Sequence, residues 1–167
     1  LRFPEFKGEW ERKKLGEVGD VKMCRRIFNN ETLPFGEIPF FKIGSFGKEA
    51  DAFISKDLFN DYKTRFSFPK KGDILISAAG TVGRTVVYDG QDAYFQDSNI
   101  VWIDNDYKTV SNEFLYYIYQ TVKFNTEGGT IQRLYNNILK STVFYSPTLP
   151  EQTKIANFLT AVDEKIQ

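Results

Sequence analysis

Histidine is absent from this 167-residue sequence. Its absence excludes Ser-His-Asp and Cys-His catalysis and any His-ligated metal site. Cysteine occurs once, at Cys24. A lone thiol makes no internal disulfide, cannot build a thiolate zinc site and suits a reducing compartment. No base stands near it in sequence, so Cys24 reads as an inert buried or surface thiol. Net charge is missing too, since 22 Lys and Arg meet 22 Asp and Glu. The overall field that draws a strongly basic domain to nucleic acid is therefore lacking, although a local patch remains open. The sequence has no apolar run of about 18 residues and no signal peptide, so a membrane span is not expected and a cytoplasmic location is. Glycine-rich phosphate loops of the G-x-G-x-x-G or Walker type do not occur either.

What is present is an ordinary globular composition, 41% hydrophobic and 26% charged, at a length that suits one domain. The charge is unevenly placed. Residues 1–30 carry eight basic and five acidic side chains, whereas 91–110 carry four Asp and one Lys, so a polarised surface is expected. The chain opens at Leu1 rather than Met and stops at Gln167 within a regular pattern; both ends read as those of a piece of a longer protein.

The opening "LRFPEFKGEWERKKLGEV" reads as an extended arm that packs its aromatics and ends in a short turn at Leu15 to Val18, because Pro4 and Gly8 oppose a long helix. A polar stretch with Asn29, Asn30, Pro34 and Gly36 reads as loop. "IPFFKI" reads as a short strand, Ile38 to Ile43. In "FPKKGDILISAAGTVGRTVVYDG", Asp73 to Ser77 and Thr85 to Tyr88 read as strands, with Ile74 and Ile76 on one face and a Gly80-Thr81-Val82-Gly83 turn between them. "AYFQDSNIVWID" supplies one or two more strands, followed by a polar turn at Asp104 to Asp106.

Helix follows. Leu115, Ile118 and Val122 form an amphipathic stripe that Ser111 or Asn112 caps and that Asn125 and Gly128-Gly129 end. A short helical turn near Asn136 to Lys140 and a strand at Thr142 to Tyr145 come next. Thr148-Leu149-Pro150-Glu151 has capping-box spacing with Pro in the first turn. Beyond it, Ile155, Leu159, Val162 and Ile166 are spaced 4, 3 and 4, which is an a/d seam. Two heptads also suit a terminal helix packed on its own domain, so both readings stand. The fold class is α+β: a mixed or antiparallel strand meander with a few helices, then a coiled-coil-type C-terminal helix.

Paired carboxylates at Asp104/Asp106 and Asp163/Glu164 read as solvated charge. The Gly80–Gly83 loop reads first as a hairpin turn using glycine for positive φ. Its exposed N–H groups, Thr81 and Arg84 would also suit a DNA contact, and "GGTIQR" offers Gln132 and Arg133 in the same way. Bases are read by Arg, Lys, Asn and Gln, whose donors match base edges. The candidate DNA-binding set on loops is Lys22, Arg25, Arg26, Lys42, Ser45, Thr81, Arg84, Gln132 and Arg133.

Four pieces together carry a family resemblance: "WERKKLGEV", "KKGDILISAAGTVGR", "GGTIQRLYNNILKSTVF" and, most specifically, "LPEQTKIANFLTAVDEKI". In this order the sequence resembles the DNA-specificity (S) subunit of Type I restriction-modification systems, across essentially its whole length. The resemblance implies a DNA target-recognition domain at 1–147 and the start of a spacer or dimerisation helix at 148–167. It implies a non-catalytic subunit that reads one half of a bipartite site in double-stranded DNA. The partners it implies are methyltransferase and restriction subunits and a second recognition half, in the same chain or in a homodimer. S-adenosylmethionine, ATP and Mg are then expected on those partners and no cofactor in this chain. The sequence carries no adenine-methyltransferase Asn/Asp-Pro-Pro-Tyr/Phe motif. The competing class is a protein assembly module working through its last helix.

Overall fold

The computed structural model of the protein describes residues 2–124 and 133–166. Asn125, Gly128, Gly129 and Gln132, named above, lie outside the described residues.

Alternation along one strand explains the layout. In β8 (Ile100–Asn105), Ile100 and Trp102 enter one hydrophobic core, while Val101 and Ile103 enter another. In β5 (Ile74–Ser77), Leu75 joins the first core and Ile74 and Ile76 the second. Successive side chains leave a strand on opposite faces, so a strand apolar at every position must be covered on both sides. Burying each large apolar side chain contributes about 1.5–3 kcal/mol. The sheet holding these strands, ordered β2 (Gly19–Lys22), β8, β5, β6 (Thr85–Val87), is thus the wall between the two cores.

The first core is closed by β3 (Ile38–Phe41), which lies antiparallel to β4 (Ala52–Ile54) and parallel to β7 (Tyr94–Phe95), and by α1 (Lys56–Arg65). Cys24 lies there, 1% exposed, and burial pushes its thiol up to about 12. That places it among inert core cysteines, without a thiolate at neutral pH. The second core is closed by α2 (Asn112–Thr121), α3 (Asn136–Ser141) and β9 (Val143–Ser146), which pairs antiparallel with β1 (Glu11–Lys14). Two of the arm's aromatics pack as expected: Trp10 meets Phe114 edge-on and Phe3 meets Phe158.

Several sequence readings need correction. Helix α1 is an element that the sequence pattern does not announce: Ser55 caps it and Arg65 pairs with Asp61 one turn back. Helix α2 stops at Thr121 with Val122 already extended, ahead of the stop expected at Asn125. Asp104 and Asn105 lie in β8 rather than in a turn; Asn105 is buried and donates to the Val110 carbonyl.

Helix α4 (Leu149–Ile166) starts where the pattern predicts, but Glu151 does not close a capping box. Both its oxygens accept from Arg2, at 2.7 and 2.8 Å. The guanidinium holds the Glu151 carboxyl below the usual glutamate range. A carboxyl lowered on folding stabilises above its ordinary value of about 4.5, and that contribution fades as pH falls through the lowered value.

Candidate nucleic-acid interface

The strand register gathers the loops. Lys22 faces Trp102, Ser77 faces Ile100 and Ile76 faces Thr85. The segment after β2, the β5–β6 turn and the segment before β8 therefore leave the central sheet at one end. β3 and β7 run parallel, so the segments after Phe41 and Phe95 join them, tied by Gln96 N–H to Phe41 O and Ile43 N–H to Gln96 Oε1. Residues 133–135 reach the same end through a bridge between Ala79 and Arg133. Along 22–28, 42–49, 78–84, 96–99 and 133–135 there are seven basic and two acidic residues. The other end, at 19–20, 70–73, 88–92 and 104–108, has three basic and six acidic. A neutral chain thus carries a positive end, the form of field that attracts polyanions.

The candidate residues fare differently within this end. Arg25, Arg26, Thr81 and Arg84 are exposed. The β5–β6 turn is a glycine hairpin: Gly80 and Gly83 have φ of 66° and 87°, and the Ser77 hydroxyl ties it by donating to Thr81 O and accepting from Arg84 N–H. Thr81 and Arg84 share a notch of about 280 Å³ with Gly44 and Lys48, a residue the loop reading overlooked. Lys42 is half-buried beside it.

Three candidates are placed otherwise than expected. Lys22 is the last residue of β2, not part of a loop. Ser45 is 5% exposed, and its hydroxyl accepts from Lys42 N–H and donates to Lys42 O inside its own turn, so its donor is turned inward. Arg133 is turned inward: Nη1 donates to Asn99 Oδ1 at 2.9 Å and Nη2 to Ser98 O at 3.0 Å. It clamps a turn in which Ser98 has φ of 53°. Gln132 lies outside the described residues. A polar triplet between two strand runs, Asp97-Ser98-Asn99, was the available sign of this turn.

The seam of α4 divides. Gln152 and Ala156 are its buried face, at 0% and 2% exposure. Ile155 and Leu159 beside them are half-buried, and Val162 and Ile166 are exposed at 36% and 78%. Its first turn is tied to the start of α2 by Ser111 N–H donating to Gln152 Oε1, and farther along Tyr117 Oη of α2 bonds Thr160 and Asp163. The last turns leave apolar side chains uncovered. Among the described residues no helix is long and apolar enough to cross a membrane.

Residues 7–167 match the family described as the type I restriction modification DNA specificity domain. A protein of Haemophilus influenzae, provisionally named a type I restriction enzyme specificity subunit, is 58% identical over 147 residues, which is 87% of this chain and 38% of that protein. The fold is also that of an S subunit structure from M. genitalium, with a TM-score of 0.69 and 21% identity over 98% of this chain and 41% of that one. An HsdS subunit structure from Thermoanaerobacter tengcongensis gives 0.65 and 18% over 98% and 40%. The chain therefore spans about two fifths of the length of these relatives.

Proposed function

The chain belongs to the type I restriction-modification DNA specificity family, and from that premise we propose that residues 1–147 are a target-recognition domain reading one half of a bipartite site in double-stranded DNA. The observation that carries this reading is the convergence of five segments, with a clear basic excess, at one end of the central sheet. Residues 148–167 begin a spacer helix that sets the distance to a second recognition half. The chain itself performs no catalysis. Methyltransferase and restriction subunits bring S-adenosylmethionine, ATP and Mg, and this chain supplies position and sequence choice.

Selection from a random DNA pool by the subunit assembled with its methyltransferase tests the reading. An enriched half-site is the expected result, and no enrichment overturns it. Phosphate contacts supply most of the affinity and set its salt dependence. Arg84→Ala and Lys48→Ala are expected to weaken binding evenly across sequences, each lowering the salt slope by about 1. Titrations at several salt concentrations measure this.

The exposed apolar end of α4 favours an assembly role for the same helix. Leu159→Glu with Val162→Glu should weaken association with a second copy or a partner more than it lowers the melting temperature. Sedimentation beside thermal melting separates the two effects. If assembly alone is the chain's work, Arg84→Ala and the Arg25→Ala/Arg26→Ala double change will leave the methylation pattern in cells untouched.

A further inference from the structure

At the basic end lies a recess of about 400 Å³ whose lining includes Arg25, Arg26, Phe28, Phe66 and Asp97. The Arg25 guanidinium lies 4.9 Å from the Phe66 ring centroid, and the Arg25 carbonyl accepts from Tyr94 Oη at 2.9 Å. Arg65 packs on the same ring, but Asp61 engages it in two hydrogen bonds, which leaves Arg25 the uncommitted guanidinium there. Asp97 is half-buried and opens the turn that Arg133 clamps. Ser98 N–H donates to Sδ of Met23, which also lines the recess. Ion pairs among the described residues join Arg2–Glu151, Lys13–Glu11, Arg65–Asp61, Lys70–Asp104 and Lys154–Glu5; Arg25 and Asp97 belong to none.

A guanidinium fork and a carboxylate that line one recess, neither in an ion pair among the described residues, are complementary to a ligand edge that presents acceptors next to a donor. The major-groove edge of a G·C pair has this pattern: guanine O6 and N7 accept, and the cytosine N4 amine donates. An A·T pair reverses part of it, since adenine presents a donor where guanine has O6. We propose that Arg25 and Asp97 act as one base-reading pair for a G·C base pair, Arg25 donating to guanine and Asp97 accepting from the cytosine amine. This rests on the DNA-reading role proposed above. Arg26, over the exposed Phe28 ring at 5.6 Å, is less constrained and suits a phosphate contact. Arg133, bonded to the two residues that follow Asp97, is a positioning residue for that turn.

The test is selection from a random DNA pool by the subunit assembled with its methyltransferase, in four forms: wild type, Arg25→Ala, Asp97→Ala and Lys48→Ala. Wild type should enrich a half-site with an invariant G·C pair. Arg25→Ala and Asp97→Ala should each lose roughly ten- to a hundredfold of preference at that one position, with the other positions retained. Retained preference elsewhere reports that the variants are folded. Lys48→Ala should leave every position's preference intact. A wild-type half-site without an invariant G·C pair overturns the proposal. So do relaxation of two different positions and even weakening of all sequences by Asp97→Ala, which would mark a purely structural role. Failure of wild type to enrich any half-site overturns the DNA-reading role itself, a separate outcome.

Discussion

Leucine in place of Gln152 is expected to destabilise the protein by about 2–4 kcal/mol, although the two side chains are close in size. Gln152 has no exposed surface, and both polar atoms of its side chain are hydrogen-bonded. Its Oε1 accepts from Ser111 N–H at 3.0 Å, and its Nε2 donates to the Thr109 and Pro147 carbonyls, each at 2.9 Å. Leucine would leave a donor and two acceptors without partners. An unsatisfied buried group costs about 1–3 kcal/mol. Two of the three sites are only partly buried, so water recovers some of the loss. For a protein of this length 1 kcal/mol shifts Tm by about 2–4 °C, so a drop of roughly 4–16 °C is the expected reading in a thermal melt. Asn157→Ala, on an exposed position of the same helix, should stay within about 0.5 kcal/mol. The location of the effect matters for function. Gln152 joins the first turn of α4 to the residue that caps α2, so it sets the direction in which the helix leaves the domain. A Gln152→Leu protein that keeps its melting temperature would remove Gln152 from this role.

Gly19→Ala should cost more, about 3 kcal/mol or greater, and for a steric reason. A Cβ built on Gly19 comes within 1.9 Å of the Asp104 carbonyl oxygen and 2.7 Å of its carbon. These are backbone atoms of the neighbouring strand, and they cannot rotate away as a flexible side chain would. Gly19 stands opposite Asn105 at the start of the β2–β8 ladder. The added methyl must part the two strands there or force the chain out of register, at or beyond the upper range of overpacking costs. Leu15 and Val18, fully buried just before this point, would lose their packing with it. Gly44→Ala is the matched comparison: a Cβ there meets nothing within 4 Å, so its effect should lie within about 0.5 kcal/mol. Urea unfolding of the two variants measures the difference. Equal stability of the two would contradict the close approach of β2 to β8. The change also bears on the candidate interface, because β2 leads directly into Arg25 and Arg26.

The residues whose structure was readable in advance are those whose reasons are local. Ile74 and Ile76 share a face because strand side chains alternate. Ser111 caps α2 because a serine there meets the N–H of Phe114. Gly80 and Gly83 turn the hairpin because they tolerate positive φ. Helix α1 also had local signs, but its apolar stripe is weak and its buried anchor is a single residue, Phe59. The pairing of β1 with β9, between Glu11 and Ser146, had no local sign at all. Arg133 looked like a surface cation until the fold brought Ser98 and Asn99 against it. Asp97 and Lys48 carry no local sign either, because a lone charge in a loop resembles every other solvated charge.

The amino-acid sequence by itself determined the family, the helix that begins at Leu149 and most of the strands, since periodicity, caps and turns act over a few residues. It also determined that histidine is absent, and with it any Ser-His-Asp or Cys-His catalytic group and any His-ligated metal site. Only the tertiary structure decided where the charge lies. Strand register, set by burying β5 and β8 on both faces, carries segments 20 to 110 residues apart to one end of a sheet. That same register assigns Arg133 to a clamp and Arg25 to an open recess. The choice depends on which groups the fold leaves unpaired, and no short-range pattern contains it.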